Sequence, residues 1–162
     1  MSRKLAAAAH SLAPNGKGAN GKRLALDVLL ALYLAALLRI TVFRPGFLLP
    51  QNDVRPVNLL PLNAYRYWVR VGSWRVFWVD LAGNLACFCP FGMILALLRP
   101  ECTLLRAAGS GFALSLCIEV SQYLLGTGIA DVDDLVLNTL GVMLGALLIK
   151  YLLAGNANQE LK

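Results

Sequence analysis

Apolar residues gather in four stretches, 24–43, 77–98, Leu104–Leu125 and 135–153. Each is close to the roughly 20 residues that a helix needs to cross about 30 Å of hydrocarbon. The connections between them are unequal. Only residues 99–103 separate the second stretch from the third, while a 33-residue segment, 44–76, separates the first from the second. The acidic run 126–134 leads into the fourth. The pattern predicts an all-α, polytopic membrane protein: a four-transmembrane-helix bundle over 24–153 with an interfacial helix in the first long loop. A flexible basic cytoplasmic tail, 1–23, and a short C-terminal tail, 154–162, flank it. The first stretch is too long, and lacks the small-residue cleavage pattern, for a removed signal peptide, so it is expected to stay as an anchor.

The long segment holds two kinds of chain. Residues 55–61, Arg-Pro-Val-Asn-Leu-Leu-Pro, cannot form a regular helix, because each proline lacks an N–H and biases its predecessor to extended geometry. Residues 63–76 can. Arg66 and Arg70 stand one turn apart there, Tyr65, Trp68 and Val69 form an apolar flank, and Trp74 and Trp78 mark the entry to the second span.

Within the spans, polar residues fall on helical stripes near one end of the bundle. Asp80 and Asn84 are four apart; Gly111, Ser115, Glu119 and Gln122 follow one face of the third span; Asp131, Asp134, Asn138, Gly141 and Gly145 follow one face of the fourth. A carboxylate at the centre of a membrane helix costs about 2.5–3.5 kcal/mol on insertion scales, so Glu119 and Asp80 are expected to face the bundle interior. Arg39 is the candidate counter-ion. Asp131 and Asp134 can serve as an N-cap and N3 pair for the fourth helix, a role that leaves Asp133 unexplained. Gly141 and Gly145 have the small-xxx-small spacing of close helix packing, and Pro90 is expected to kink the second span.

Composition sharpens the membrane reading. Hydrophobic residues make up 58% and charged residues 15%, with a mean hydropathy of +0.63, against about 25% charged in an ordinary soluble domain. The formal charge of +6 is read as topology and attraction to anionic headgroups, since no nucleic-acid-binding pattern is present. With the termini inside, nine Lys and Arg face three acids on the cytoplasmic side, and six arginines face six acids on the other. Cys87, Cys89, Cys102 and Cys117 sit in or beside apolar runs and read as small packing residues, not as a disulfide framework or a zinc site. His10, the single histidine, lies in the tail, so neither a Ser-His-Asp triad nor a histidine metal site is available, and no cofactor is expected.

Four linked segments carry a resemblance. They are Val57-Asn58-Leu59-Leu60-Pro61; Asp80 to Asn84 with Phe88-Cys89-Pro90-Phe91-Gly92; Ile118-Glu119-Val120-Ser121-Gln122; and Asp131-Val132-Asp133-Asp134 to Asn138-Thr139-Leu140-Gly141. In this order and on these spans the chain resembles the VanZ-like family. Leu62 departs from the aromatic frequent after the Asn-Leu-x-Pro element, and Ile129-Ala130 stand where a polar residue is common. The resemblance implies a small multi-pass protein of the bacterial cell membrane, in a family named for a member linked to resistance to teicoplanin, a glycopeptide with a lipid tail. It also carries over Asn58, Asp80, Asn84, Glu119, Gln122, Asp131, Asp133, Asp134 and Asn138 as ligand-binding candidates.

Three roles follow as expectations. The first is an outer-face acidic and polar pocket that binds the headgroup of an amphiphile, with Tyr65, Trp68 and Trp74 at its mouth. The arginines of the long segment would either balance the carboxylates or hold lipid phosphates. Its partners would be membrane lipids and a lipidated glycopeptide or lipid-linked envelope precursor. The second is an enzyme on a lipid-linked substrate that uses aspartate-held Mg²⁺ or Mn²⁺. The third is a structural or proton-coupled transport component.

Overall fold

The computed structural model describes residues 17–43 and 57–159. Its elements are α1 (Lys17–Thr41), β1 (Val57–Asn58), α2 (Asn63–Arg70), α3 (Trp74–Leu98), α4 (Leu104–Leu125), β2 (Ala130–Asp131) and α5 (Val132–Gln159). The four long helices are each apolar enough to cross a membrane, over Asn20–Thr41, Trp74–Leu98, Leu104–Leu125 and Val132–Gly155. The protein is therefore an all-α, multi-pass membrane bundle. Two boundaries move outward from the apolar pattern. α1 begins among the basic residues at Lys17, and α5 begins at Val132, because the aspartates that interrupt the apolar run serve its N-terminus.

α5 is the central helix, packed chiefly on α3 and next on α4, with α1 laid against α3. The α3–α5 crossing depends on glycine. A Cβ at Gly145 would run into the Cys89 carbonyl, one at Gly92 into the Val142 carbonyl, and one at Gly141 would stand 2.5 Å from the Leu85 carbonyl. The small-residue stripe thus lets two backbones meet, the packing that replaces hydrophobic drive inside a membrane. Val142, Phe88, Ala146 and Leu37 fill the buried centre. α3 runs unbroken through Pro90, and Tyr33 of α1 donates to the Cys87 carbonyl at 2.5 Å in the adjoining turn. That bond ties α1 to α3 one residue along from the Ala86 carbonyl, the acceptor that the proline leaves without its N–H donor. All four cysteines are free thiols, with Cys102 buried and Cys117 exposed on the outside of α4.

The expected helix over 63–76 is divided in two. α2 stops at Arg70 in a Schellman motif: Ser73 N–H donates to the Trp68 carbonyl at 2.8 Å, Gly72 N–H to the Val69 carbonyl at 3.3 Å, and Gly72 takes φ +70°. Glycine accepts that left-handed turn without steric cost, and the chain then turns into α3.

Candidate functional site

The polar stripes meet at the end of the bundle where α2, the start of α3, the end of α4 and the start of α5 come together. β1 and β2 pair in parallel there, with Val57 opposite Ala130 and Asn58 opposite Asp131. The Pro-flanked stretch that could not be helical is the partner strand. Asn58 Nδ2 donates to Asp131 Oδ2 at 2.9 Å, and its own Oδ1 accepts from Leu60 N–H at 3.3 Å.

Each carboxylate of the site receives a donor from a different element. Glu119, 5% exposed, accepts the Asp131 N–H through Oε2 at 2.9 Å, which fixes β2 to α4. Asp131 caps α5, its Oδ1 accepting from Asp133 N–H at 2.8 Å. Asp134 does not complete a capping box; its Oδ1 accepts from Asn84 Nδ2 at 2.7 Å and joins α5 to α3. Asp80 accepts from Tyr65 OH at 2.5 Å, which ties α2 to α3. Asp133, unexplained by capping, accepts the Leu62 N–H with both oxygens at 2.9 Å. Leu62 is the one non-glycine residue with positive φ among the described residues, at φ 60°. Such a conformation costs of order 1–3 kcal/mol and persists where surrounding bonds over-determine it. Asp133 supplies that restraint.

Asn138 and Ser115 lie one layer deeper. Asn138 Nδ2 donates to Ser115 Oγ at 2.9 Å, and Asn138 Oδ1 is buried without a hydrogen-bond partner among the described residues. Gln122 faces another way, its Nε2 donating to the Thr41 carbonyl at 3.2 Å to join α4 to the end of α1. Eight of the nine sequence candidates therefore form one braced network, and Gln122 stands beside it. Arg39 does not act as counter-ion: its guanidinium donates to the Phe43 carbonyl at 2.5 Å at the end of its own helix.

Two contributors escaped the stripe argument. Tyr65, expected at the mouth of the pocket, lines the groove from a buried position, and its ring packs edge-on to Trp68 and Phe77 with centroids 5.1 and 5.2 Å away. Burial first, then the hydrogen bond to Asp80 and the charges of Asp80, Asp134 and Asp133, push its phenol well above the ordinary range, so it stays a donor. The second is the Leu62 backbone N–H, which no side-chain pattern can announce. Among the described residues no three His, Cys, Asp or Glu side chains converge to hold a metal ion.

Beside this network a groove of about 520 Å³ opens between α2, α3 and α5. Leu62, Tyr65, Val69, Phe77, Leu81, Val136 and Leu137 give it apolar walls, and Arg66, Arg70 and Asp133 supply its charge. The volume falls within the roughly 300–1,000 Å³ of small-molecule sites.

These features define a class: a four-span membrane protein in which carboxylates clamp an interfacial helix across one end of the bundle. The VanZ/LLP1 family pattern matches residues 30–154, and the chain belongs to that family. It is 30% identical over 120 residues to Protein VanZ of Enterococcus faecium, an alignment that covers 72% of this chain and 68% of that protein. No solved structure matches it.

Proposed function

We propose that this VanZ-family protein is a binding module of the bacterial cell membrane that engages the headgroup end of an amphiphile from the outer face. In this reading it contributes to resistance to a lipid-tailed glycopeptide such as teicoplanin or to the state of envelope lipids. The observation that carries the reading is the groove between α2, α3 and α5, whose lining is apolar along its walls and charged at Arg66, Arg70 and Asp133. An amphiphile has the same division. The carboxylates act as the brace that builds the groove: Asp133 and Asp80 hold α2 through Leu62 and Tyr65, while Glu119 and Asp134 hold the α4–α5 connection and α3. Their engagement by N–H and O–H donors favours this role over a hard-oxygen metal site.

The test is drug susceptibility in a sensitive Gram-positive host at matched membrane levels of each variant. The wild type should protect against teicoplanin and leave vancomycin susceptibility unchanged, because the lipid tail is the difference between the two. Glu119→Gln and Asp133→Asn should each remove the protection. Protection that persists in both variants, or that extends equally to vancomycin, would overturn the reading.

A further inference from the structure

The network is acidic and turned inward, whereas the exposed charge beside the groove is basic. Every carboxylate of the network accepts a donor from the chain, and Asp133, the one that borders the groove, is buried with both oxygens turned to the Leu62 N–H. Arg66 and Arg70 are exposed and line the groove from α2 one turn apart, and their guanidiniums have no hydrogen-bond or ion-pair partner among the described residues. Two free guanidiniums against one committed carboxylate make the open part of the groove anion-seeking.

Depth fixes the rest of the ligand. The aromatic cluster of Trp68, Phe77, Trp74 and Trp78 sits at the junction of α2 and α3, the level at which such rings settle between headgroups and hydrocarbon. Leu81 lies seven residues into α3 and Leu137 five residues beyond the first residue of α5, so the apolar walls descend about 8–10 Å below the helix ends. Val136 and Val69 are exposed, which leaves the groove open sideways to the bilayer. We infer that the groove binds a phosphate-bearing anionic lipid of the surrounding leaflet, with Arg66 and Arg70 on the phosphate and the walls from Val69 and Phe77 to Leu81 and Leu137 around the first part of an acyl chain. Paired guanidiniums suit phosphate through charge-assisted, bidentate hydrogen bonds, and the lining offers no uncommitted carboxylate to take an ammonium group. This inference rests on the groove being the amphiphile site and names the chemistry of its occupant.

The test uses the full-length protein in a mild nonionic detergent, with bound lipid read by native mass spectrometry. Phosphatidylglycerol should be retained and dioleoylglycerol, which lacks the phosphate, retained about tenfold less or weaker still. Glycerol phosphate in large molar excess should not displace the lipid; displacement would make this a soluble-phosphate site and overturn the assignment. The double variant Arg66→Gln/Arg70→Gln should lose about tenfold in phosphatidylglycerol retention. Arg75→Gln, an exposed cation at the same membrane end outside the groove, should match the wild type. Val136→Trp fills the groove without changing charge and should also lower retention. Equal retention of dioleoylglycerol, an unaffected arginine double variant, or an equal loss in Arg75→Gln would each overturn the inference. The two readings separate cleanly: teicoplanin protection lost in Val136→Trp but kept in the arginine double variant retains the amphiphile groove and overturns the phosphate assignment. Lipid retention that responds as expected while neither change alters protection supports the lipid site and overturns the proposed role in resistance.

Discussion

Tyr65 shows how one hydroxyl can govern the site. Its ring would pack edge-on to Trp68 and Phe77 with or without the oxygen, but the O–H is the donor that Asp80 receives from α2. Tyr65→Phe keeps the packing and leaves a partly buried carboxylate short of a partner, a change that costs about 1–3 kcal/mol. The expected result is a lower unfolding midpoint in detergent and faster hydrogen exchange in α2, whereas Tyr67→Phe, on the exposed side of the same helix, should alter neither. Unchanged exchange in Tyr65→Phe would remove the Tyr65–Asp80 bond from the account of how α2 is held. The two tyrosines also show where reading by residue type stops. Both look like interfacial aromatics in the chain, and only the docking angle of α2 turns one hydroxyl inward. Leu62 is harder still: its contribution is a backbone N–H presented by a left-handed turn to a carboxylate 71 residues away. Side-chain chemistry and spacing contain no trace of it.

At the scale of elements, helical periodicity revealed most of what was legible. Glu119, Asn138 and Asp134 fall on inward stripes because a period of 3.6 residues leaves no other low-cost position for them in a membrane. Periodicity could not say that Asn58 would pair with Asp131, since a two-residue parallel bridge has no repeat to read. Nor could it divide 63–76, where apolar and basic spacing continues past Arg70 and the stop is made by the left-handed turn at Gly72 and the Ser73 N–H. The glycine stripe, in contrast, was visible in sequence and meets backbone in the fold, so it supports a direct test. Gly145→Ala places a methyl group against the Cys89 carbonyl, which cannot rotate away, and should cost at least the roughly 1–3 kcal/mol typical of overpacking. Gly109→Ala on α4 meets nothing within 4 Å and should be neutral or gain up to about 1 kcal/mol from helix propensity. Equal unfolding midpoints for the two variants would mean that α3 and α5 do not cross as closely as their glycines permit.

For the whole molecule, the decisive property is which side of the membrane the groove faces, because a site that meets a drug arriving from outside must open outward. The two ends differ in kind. The α2 end carries the carboxylate brace, the aromatic cluster and the groove, while the opposite end has the short α3–α4 turn, where Lys150 donates to the Cys102 carbonyl. Topology responds to Lys and Arg near the spans and little to acids, so the relevant bias is nine cations at the terminal end against six arginines at the α2 end, a narrower margin than net charge suggests. Lys17, Lys22 and Arg23 strengthen it by lying on α1 itself, next to the membrane entry. The expected arrangement has both ends of this chain in the cytoplasm. A fluorescent protein that matures only inside the cell should glow when fused after Lys162, and a phosphatase active only outside should stay silent at the same junction. The reverse result would turn the groove toward the cytoplasm, where its arginines would still meet lipid phosphate but no glycopeptide could arrive from outside. The lipid inference would survive that outcome and the resistance reading would not, so the topology measurement separates the two before any ligand is added.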